Sequence, residues 1–395
     1  MRSLKPPFVI FIAVLFQYSC GNAINPVLAP LAMQTGMSTV QTGLFFTLSS
    51  LMWLVASPFW SRKSETLGRK NVMLIGLGSC GFLYLSFGLV GDWGLSHRPN
   101  PMLLFSILLL IRLISGLFFS TVPIASQAYI ADTTHGNERT VAVSLIWMAS
   151  GLGSIIGPGI GVFSSHHLMN PLYIGSVLPL VGFLGVFLCL PNTQATRISI
   201  NSPAVKVKFL DRRVWKFLFM VASLQASVLG IQVTTGFFVE SHFHLTASQT
   251  AETVGLLFML TGVVSVTSQL IFVRQMKLSS KMLLFIGTPT LLLCSISLMF
   301  HAFMVAVYAG FILLGVGIGF VLPGATSGAS LAVKQNEQGA IAGRISASQG
   351  LGTAVGPLVG TNLYNLNHLL PYVFVGLLFS IASVFSWSRS SYTSP

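Results

Sequence analysis

The sequence describes an all-α membrane protein, with twelve transmembrane helices in two pseudo-symmetric six-helix bundles. Three observations carry that reading. Only 7% of the 395 residues are Asp, Glu, Lys or Arg, against 53% hydrophobic ones, where a soluble domain carries about 25% charged residues. The apolar residues fall into repeated stretches near the roughly 20 residues a helix needs to cross a bilayer. The two halves share a motif at a constant offset. A soluble globule would have too few polar groups here to cover its surface, and a disordered chain would be far less hydrophobic.

The first six spans are read at 8–32, 39–60, 71–91, 102–131, 140–164 and 171–191. The last six are read at 214–239, 253–273, 282–300, 302–333, 341–363 and 371–388. Span one follows MRSLKPP. It has neither a small-residue cleavage site nor a Leu three residues before Cys20, so it is an uncleaved helix. Span two lies between the turn signal MQTGMS and the charged SRKSETLGRK, and span three ends at DWGLSHRPNP. Span four carries the continuous run LLFSILLLI, which does not alternate as a barrel strand would. Span five follows HGNER, and SSHHLMNP precedes span six. VRQMKLSSK closes span eight and YNLNHLLP closes span eleven. The longest hydrophilic stretch, Asn192–Arg213, divides the chain. It sets a first bundle at 1–191, a cytoplasmic linker at 192–213 and a second bundle at 214–395.

Charge fixes the orientation. With both termini cytoplasmic, all but Arg98 and Arg112 of the 21 basic residues fall in inside segments, a strong positive-inside bias. The net charge of +13 is therefore a topology signal and does not call for nucleic acid. Cys20, Cys80, Cys189 and Cys294 all fall within spans and read as small packing residues.

Asn137–Gly161 and Asn336–Gly360 align at an offset of 199 with nine of 25 positions identical. The shared core is Gly151-Leu-Gly-x-x-x-Gly157-Pro158-x-x-Gly161 against Gly350-Leu-Gly-x-x-x-Gly356-Pro357-x-x-Gly360. Gly153, Gly157 and Gly161, and Gly352, Gly356 and Gly360, thus recur at helix-packing spacing. Small residues let backbones approach where lipid gives helices little other reason to associate. Pro158 and Pro357 bend their helices. Arg112 lies about ten residues into span four, roughly 15 Å deep, where a charge costs at least about 2.5 kcal/mol. It must face a partner or a wet cavity. The candidate partners are Gln17, Asn22 and Asn25 on span one, Gln225 and Gln232 on span seven, and Ser346 and Gln349 on span eleven. Amides that merely bond across helices are the equal alternative. Glu240, His242 and His244 lie within five residues, but with no further ligand nearby they read as an outer loop, and no metal site or cofactor is expected. His166 and His167 read likewise. No G-x-x-x-x-G-K-[ST] and no clustered nucleophile or base is present, so no enzyme is expected.

Three motifs resemble the major facilitator superfamily, specifically its twelve-helix drug/proton antiporter branch of tetracycline and multidrug exporters. Ser61–Lys70 is similar to that family's G-x-L-x-D-R-x-G-R-K, with Gly68, Arg69 and Lys70 matching and Glu65 supplying the acid. Arg112 and Gly116 match R-x-x-x-G, running on to Asp132. Gly153, Gly157, Pro158 and Gly161 match the antiporter motif, with Val162 in place of its last glycine. The resemblance implies alternating access, with the amides of spans one and seven lining a cavity around Arg112. It also implies a cytoplasmic gate in which Glu65 faces a helix terminus of span eleven and Arg69 pairs with Asp132. It implies a small-molecule substrate, a proton as coupling ion, a bacterial inner-membrane location, and a monomer in the lipid bilayer. All eight acids, Glu65, Asp92, Asp132, Glu138, Asp211, Glu240, Glu252 and Glu337, lie near or beyond span ends. No buried counter-charge awaits a cationic drug, so the expected cargo is neutral or anionic; efflux is the direction the resemblance implies. Uptake of a similar solute or a metal chelate such as a siderophore, and a non-transporting membrane sensor, stay open as alternatives.

Overall fold

The computed structural model describes residues 6–133, 136–165, 167–191, 211–276, 278–300, 303–334 and 337–387. Most of the expected linker lies outside the described residues, as do His166, Asn336, Arg2, Lys5, Arg197, Lys206, Lys208, Lys277 and Arg389; the side chains of Glu138, Arg139 and Arg274 are also outside them. The first half contains α1 (Pro6–Asn22), α2 (Asn25–Thr35), α3 (Thr39–Leu67), α4 (Arg69–His97), α5 (Pro101–Phe119), α6 (Thr121–Thr133), α7 (Gly136–Gly159) and α8 (Asn170–Cys189). The second contains α9 (Trp215–Phe243), α10 (Ala247–Ser268), α11 (Ser280–Met299), α12 (Met304–Leu331), α13 (Gln338–Leu366) and α14 (Leu370–Trp387). A 3-10 turn, Ile160–Ser165, extends α7, and a π-helical turn, Gln269–Gln275, extends α10. Twelve spans become fourteen helices because spans one and four each break in two. Among the described residues ten segments are long and apolar enough to cross a membrane, with α1–α2 and α5–α6 each counting as one. A shorter apolar segment, Met148–Phe163, runs from α7 into its 3-10 turn among the described residues, and α13, though 29 residues long, is diluted by Gly, Ser and Thr.

Two compact units divide the chain: Met1–Ser199 with Gly236–Met259, and Ile200–Thr235 with Leu260–Pro395. In the first, Ile10, Val14, Met73, Leu77, Tyr129, Ile146, Ala149 and Val186 close a core among α1, α4, α6, α7 and α8. In the second, Leu284, Leu291, Leu314, Phe311 and Phe379 are buried on α11, α12 and α14. Large apolar side chains point outward as a hydrocarbon solvent permits: Phe82, Leu110, Leu184, Val305 and Val384 are all exposed.

The glycine motif does the same packing in each unit. A methyl at Gly153 would stand 2.6 Å from Tyr18 Cβ, and one at Gly157 would stand 2.5 Å from the Ser19 carbonyl oxygen, so α7 rides directly on α1. In the second unit Gly352 and Gly356 sit on the carbonyls of Ala222 and Ala226, and Gly360 sits on Gly230, so α13 rides on α9 in the same way. Gly161 packs on Pro26, and Gly255 packs on the Pro158 carbonyl oxygen, both within the first unit. Pro357 lies inside an unbroken α13, while Pro158 lies two residues before α7 tightens into its 3-10 turn.

The charged loop expected after span two is largely helix. No Gly or Pro interrupts the chain between Pro58 and Gly68, so α3 runs on to Leu67 and reverses at Gly68 alone. Gly68 has φ 88° and ψ 146°, a region essentially reserved for glycine. Gly68→Ala is expected to cost about 1–3 kcal/mol of strain, read as a lower melting temperature in detergent; an unchanged melting temperature would show that the turn adapts. Glu240 and His242, expected in a loop, likewise fall on the last turns of α9, and His244 follows with φ 52°.

A network of charges ties the end of the linker to the start of α13 in the second unit. Arg213 donates from Nη1 and Nη2 to the two Glu337 oxygens at 3.0 Å each, and from Nη2 to Asp211 Oδ2 at 2.8 Å. Hydrogen bonds from Arg213 hold both carboxyls below their ordinary range. The stabilisation they bring is therefore complete above the unfolded carboxyl values of about 4 and is lost as pH falls through the lowered folded values. The melting temperature of the wild type is expected to fall more than that of Glu337→Gln between about pH 6 and pH 3. The difference should be small, because the pair is exposed and screened by salt. Parallel curves would show that the network contributes nothing.

Candidate functional site

The first unit gathers its polar groups where the helices break. Pro26 has no N–H and crowds the carbonyl four residues back, so span one turns at Ala23 and Ile24, between α1 and α2. Pro123 does the same to span four, and α5 stops at Phe119. Each break frees carbonyl groups inside the membrane region, where an unsatisfied polar group costs several kcal/mol. Side chains from other spans take them up. Gln17 Nε2 donates to the Phe119 carbonyl at 2.9 Å, and Trp60 Nε1 donates to that of Leu117 at 2.8 Å. Tyr84 Oη donates to the Gly21 carbonyl at 3.4 Å.

Arg112 is joined to this seam. It is 7% exposed, held on α5 where Gly116 meets the Ser49 carbonyl of α3. Its Nη1 donates to Tyr84 Oη at 2.7 Å, and its Nη2 donates to Ser49 Oγ at 3.3 Å. The guanidinium also lies 5.7 Å from the ring centroids of both Phe46 and Tyr84, within cation–π range. Its Nε is buried without a hydrogen-bond partner, and no carboxylate pairs with it among the described residues. The site is therefore a desolvated cation stabilised by hydroxyls and rings, with a donor to spare.

The structure places the span-one amides differently from the partners expected for Arg112. Gln17 is spent on Phe119, and its Oε1 is buried without a partner. Asn22 donates to the Tyr18 carbonyl at 2.8 Å and accepts from Asn25 at 3.3 Å, so the two amides pair with each other at the break. The partners of Arg112 are instead Tyr84 and Ser49, on α4 and α3. No signal in the sequence marks either one, since a tyrosine and a serine are ordinary residues of a membrane span. Gln225 and Gln232 on α9 and Gln349 on α13 are half-buried in the second unit, with the Gln225 Cβ against Gly352.

At the ends of α3 and α4, Arg69 Nε donates to Asp132 Oδ2 at 3.0 Å, and its Nη1 donates to Ser64 Oγ. The side chains of Arg69 and Asp132 are 9% and 7% exposed. Lys70 Nζ caps α8 by donating to the Phe187 carbonyl at 2.8 Å. Glu65 is exposed on the last turn of α3. At the opposite face Asp92 accepts a hydrogen bond from Tyr173 and lies 3.6 Å from His167 Nε2, a contact the sequence reading missed. Glu240 Oε2 is buried without a partner. Among the described residues no group of three or more His, Cys, Asp or Glu could hold a metal ion.

The model of the Major Facilitator Superfamily matches residues 10–357 and, in a second match, 252–391. The chain belongs to the major facilitator superfamily. Multidrug resistance protein 2 of Bacillus subtilis (strain 168) is 25% identical over 393 residues, covering 95% of this chain and 92% of that protein. The tetracycline resistance protein, class B, of Escherichia coli is 27% identical over 348 residues, covering 83% of this chain and 80% of its own. The crystal structure of the nucleoside transporter NupG shares the fold, with a TM-score of 0.74 at 13% identity over 97% of this chain and 98% of that one. This major facilitator protein is thus a multi-pass membrane transporter, with multidrug and tetracycline resistance proteins among its relatives, and the polar cluster around Arg112 lies within its first unit.

Proposed function

We propose that this transporter exports a small neutral or anionic organic solute from the cytoplasm by alternating access, with protons as the counter-flowing ion. The observation that supports the reading is Arg112, a buried cation with a spare donor and no carboxylate partner among the described residues. Such a group lowers its own desolvation cost when an anionic or carbonyl-bearing solute comes to it, and it repels a lipophilic cation. Direction and coupling rest on the likeness to the resistance exporters. In this reading the basic face, with both termini on it, is the cytoplasmic side by the charge bias, and the membrane is a bacterial inner membrane by the likeness to the resistance proteins. The moving bodies in this reading are residues 1–191 and 214–395, joined by 192–213. The solute is handled by Arg112, Gln17, Asn22 and Asn25 on one side and by Gln225, Gln232 and Gln349 on the other. Glu65, Gly68, Arg69, Lys70 and Asp132 form the gate at the basic face.

Purified protein in liposomes with an imposed pH gradient tests this directly. Carboxylated or neutral solutes found by profiling the medium of cells with and without the protein should flow until the gradient is exhausted. Lipophilic cations should neither flow nor compete. Strong selectivity for lipophilic cations would overturn the assignment of the cargo, and flux indifferent to the pH gradient would overturn proton coupling.

A further inference from the structure

On the face opposite the Arg69–Asp132 pair, three side chains from three parts of the first unit meet, and transport as read above uses none of them. Asp92 stands on the last turns of α4, Tyr173 on the first turn of α8, and His167 between α7 and α8. The Tyr173 hydroxyl donates to Asp92 Oδ2. Asp92 Oδ1 is buried and has no hydrogen-bond partner, and His167 Nε2 stands 3.6 Å from it. That separation is too long for a hydrogen bond. The imidazole is open to solvent, its side chain 53% exposed against 26% for Asp92. Close packing holds the arrangement in place: Gly88 of α4 meets Tyr173, and Gly91 meets Met169, two residues after His167.

A lysine or arginine at position 167 would pair with Asp92 at every ordinary pH. Histidine makes the pair conditional, because an ordinary imidazole changes charge between about pH 5 and 8. Tyr173 fixes one carboxylate oxygen and leaves the other waiting for a donor. A proton on the ring supplies both charge and donor, and the gap need close by only about 0.8 Å to reach a charge-assisted bond. The surrounding elements bring little else that titrates. α2 touches this end of α4 through Leu31, and α5 touches it through Leu104. α2, the first two turns of α5 and the 3-10 turn Ile160–Ser165 carry no titratable side chain, and Tyr173 is the one on the first turns of α8. On α4 itself His97 turns to the Trp93 carbonyl, and Arg98 follows it. His166 is adjacent in sequence and lies outside the described residues.

We propose that Asp92, Tyr173 and His167 form a proton-binding clasp, in which a proton taken up by His167 pairs it with Asp92 and steadies the turn between α7 and α8. One proton passes from water to a ring nitrogen, and no other covalent bond changes. The turn is tied in both directions. The Asn170 amide donates to the His167 carbonyl at 3.1 Å, and the Asn170 side chain donates to the Phe163 carbonyl at 3.2 Å. Phe163 belongs to the 3-10 turn that carries Gly161, the residue seated on Pro26 and against the Ala251 carbonyl. Acid on this face therefore tightens the end of α7 where it grips its neighbours, and base loosens it. A histidine that gains a partner contributes stability that is complete below its unfolded value of about 6.5 and is lost as pH rises beyond it, while a carboxylate stays ionised above about 4. That this face samples the outer medium rests on the orientation proposed above; the clasp itself does not.

Hydrogen–deuterium exchange of the full-length protein in detergent needs no solute, gradient or membrane, so failure of the clasp and failure of the transport reading are separate results. The amides to follow are those of Asn170, Leu172 and Tyr173, which close the turn, with variants always compared at one pH. At about pH 5.5 the wild type should exchange there about two- to five-fold more slowly than His167→Gln, the scale of a half-exposed ion pair. At about pH 8 the two should match. His167→Lys carries a fixed charge and should stay slow at both, and His166→Gln should behave as the wild type. Rates of wild type and His167→Gln that agree at both pH values would overturn the clasp. So would an acid effect that survives in Asp92→Asn, an acid effect that persists in His167→Lys, or its loss in His166→Gln.

Discussion

Arg112→Gln is expected to cut the transport of an anionic solute by about 10- to 100-fold, the equivalent of one charge-assisted hydrogen bond of roughly 1.5–3 kcal/mol. The fold should survive, because the guanidinium has no carboxylate partner among the described residues for its loss to strand. Glutamine keeps a donor for Tyr84 and removes a buried charge, so the melting temperature should hold or rise. Arg112→Lys separates charge from shape. It keeps the positive charge but loses the planar fork that serves Tyr84 and Ser49 together, and it should fall between the other two. The measurements are initial flux in liposomes and thermal melting in detergent. Wild-type flux in Arg112→Gln would place the residue off the solute path, and a collapse of stability would make it a structural strut.

Asp132→Asn is the second large effect. Arg69 and Asp132 are both nearly buried, and breaking a buried pair by altering one partner costs about 3–5 kcal/mol, because the other charge is left uncompensated. Asparagine can still accept a hydrogen bond, which places it toward the lower end; Asp132→Ala lacks even that. Replacing both residues with apolar side chains should recover much of the loss. If the pair also gates the basic face, flux in the stabilised double variant stays low although the protein folds. Glu65→Gln gives a cleaner reading of the gate, since Glu65 is exposed and its loss should leave stability alone while lowering flux. Full flux in Glu65→Gln would remove Glu65 from the gate, and equal stability in Asp132→Asn would mean that water reaches the pair.

The helical architecture was legible because its cause is plain in the residues: apolar runs of spanning length, basic loops, and a glycine motif repeated at one offset. The Arg69–Asp132 contact could be read as well, since both residues stand at motif positions near span ends. Three things escaped. The continuation of α3 through the charged segment was hidden because charge was taken to mean loop, whereas only Gly68 actually stops the helix. The breaks in spans one and four were signalled by Pro26 and Pro123, but their consequence depends on tertiary partners: freed carbonyls recruit Gln17, Trp60 and Tyr84 from other helices. The surroundings of Arg112 escaped for a related reason. Amides drew attention as polar residues in apolar spans, while the groups that do hold the guanidinium are a tyrosine, a serine and a phenylalanine ring, which pass as ordinary membrane residues.

The composition of α13 has a consequence for how the polypeptide is made. Entry of a segment into the bilayer from the ribosome-bound channel depends on the summed transfer energy of its side chains. α13 is long enough to cross, but its Gly, Ser and Thr leave it less apolar over a spanning length than the ten spanning segments. It is expected to wait at the channel until the strongly apolar α14 emerges and enters with it as a hairpin, or until the earlier helix it grips, α9, takes it in from the side. The glycines that let the finished helix touch its neighbour are what make it depend on a companion during synthesis.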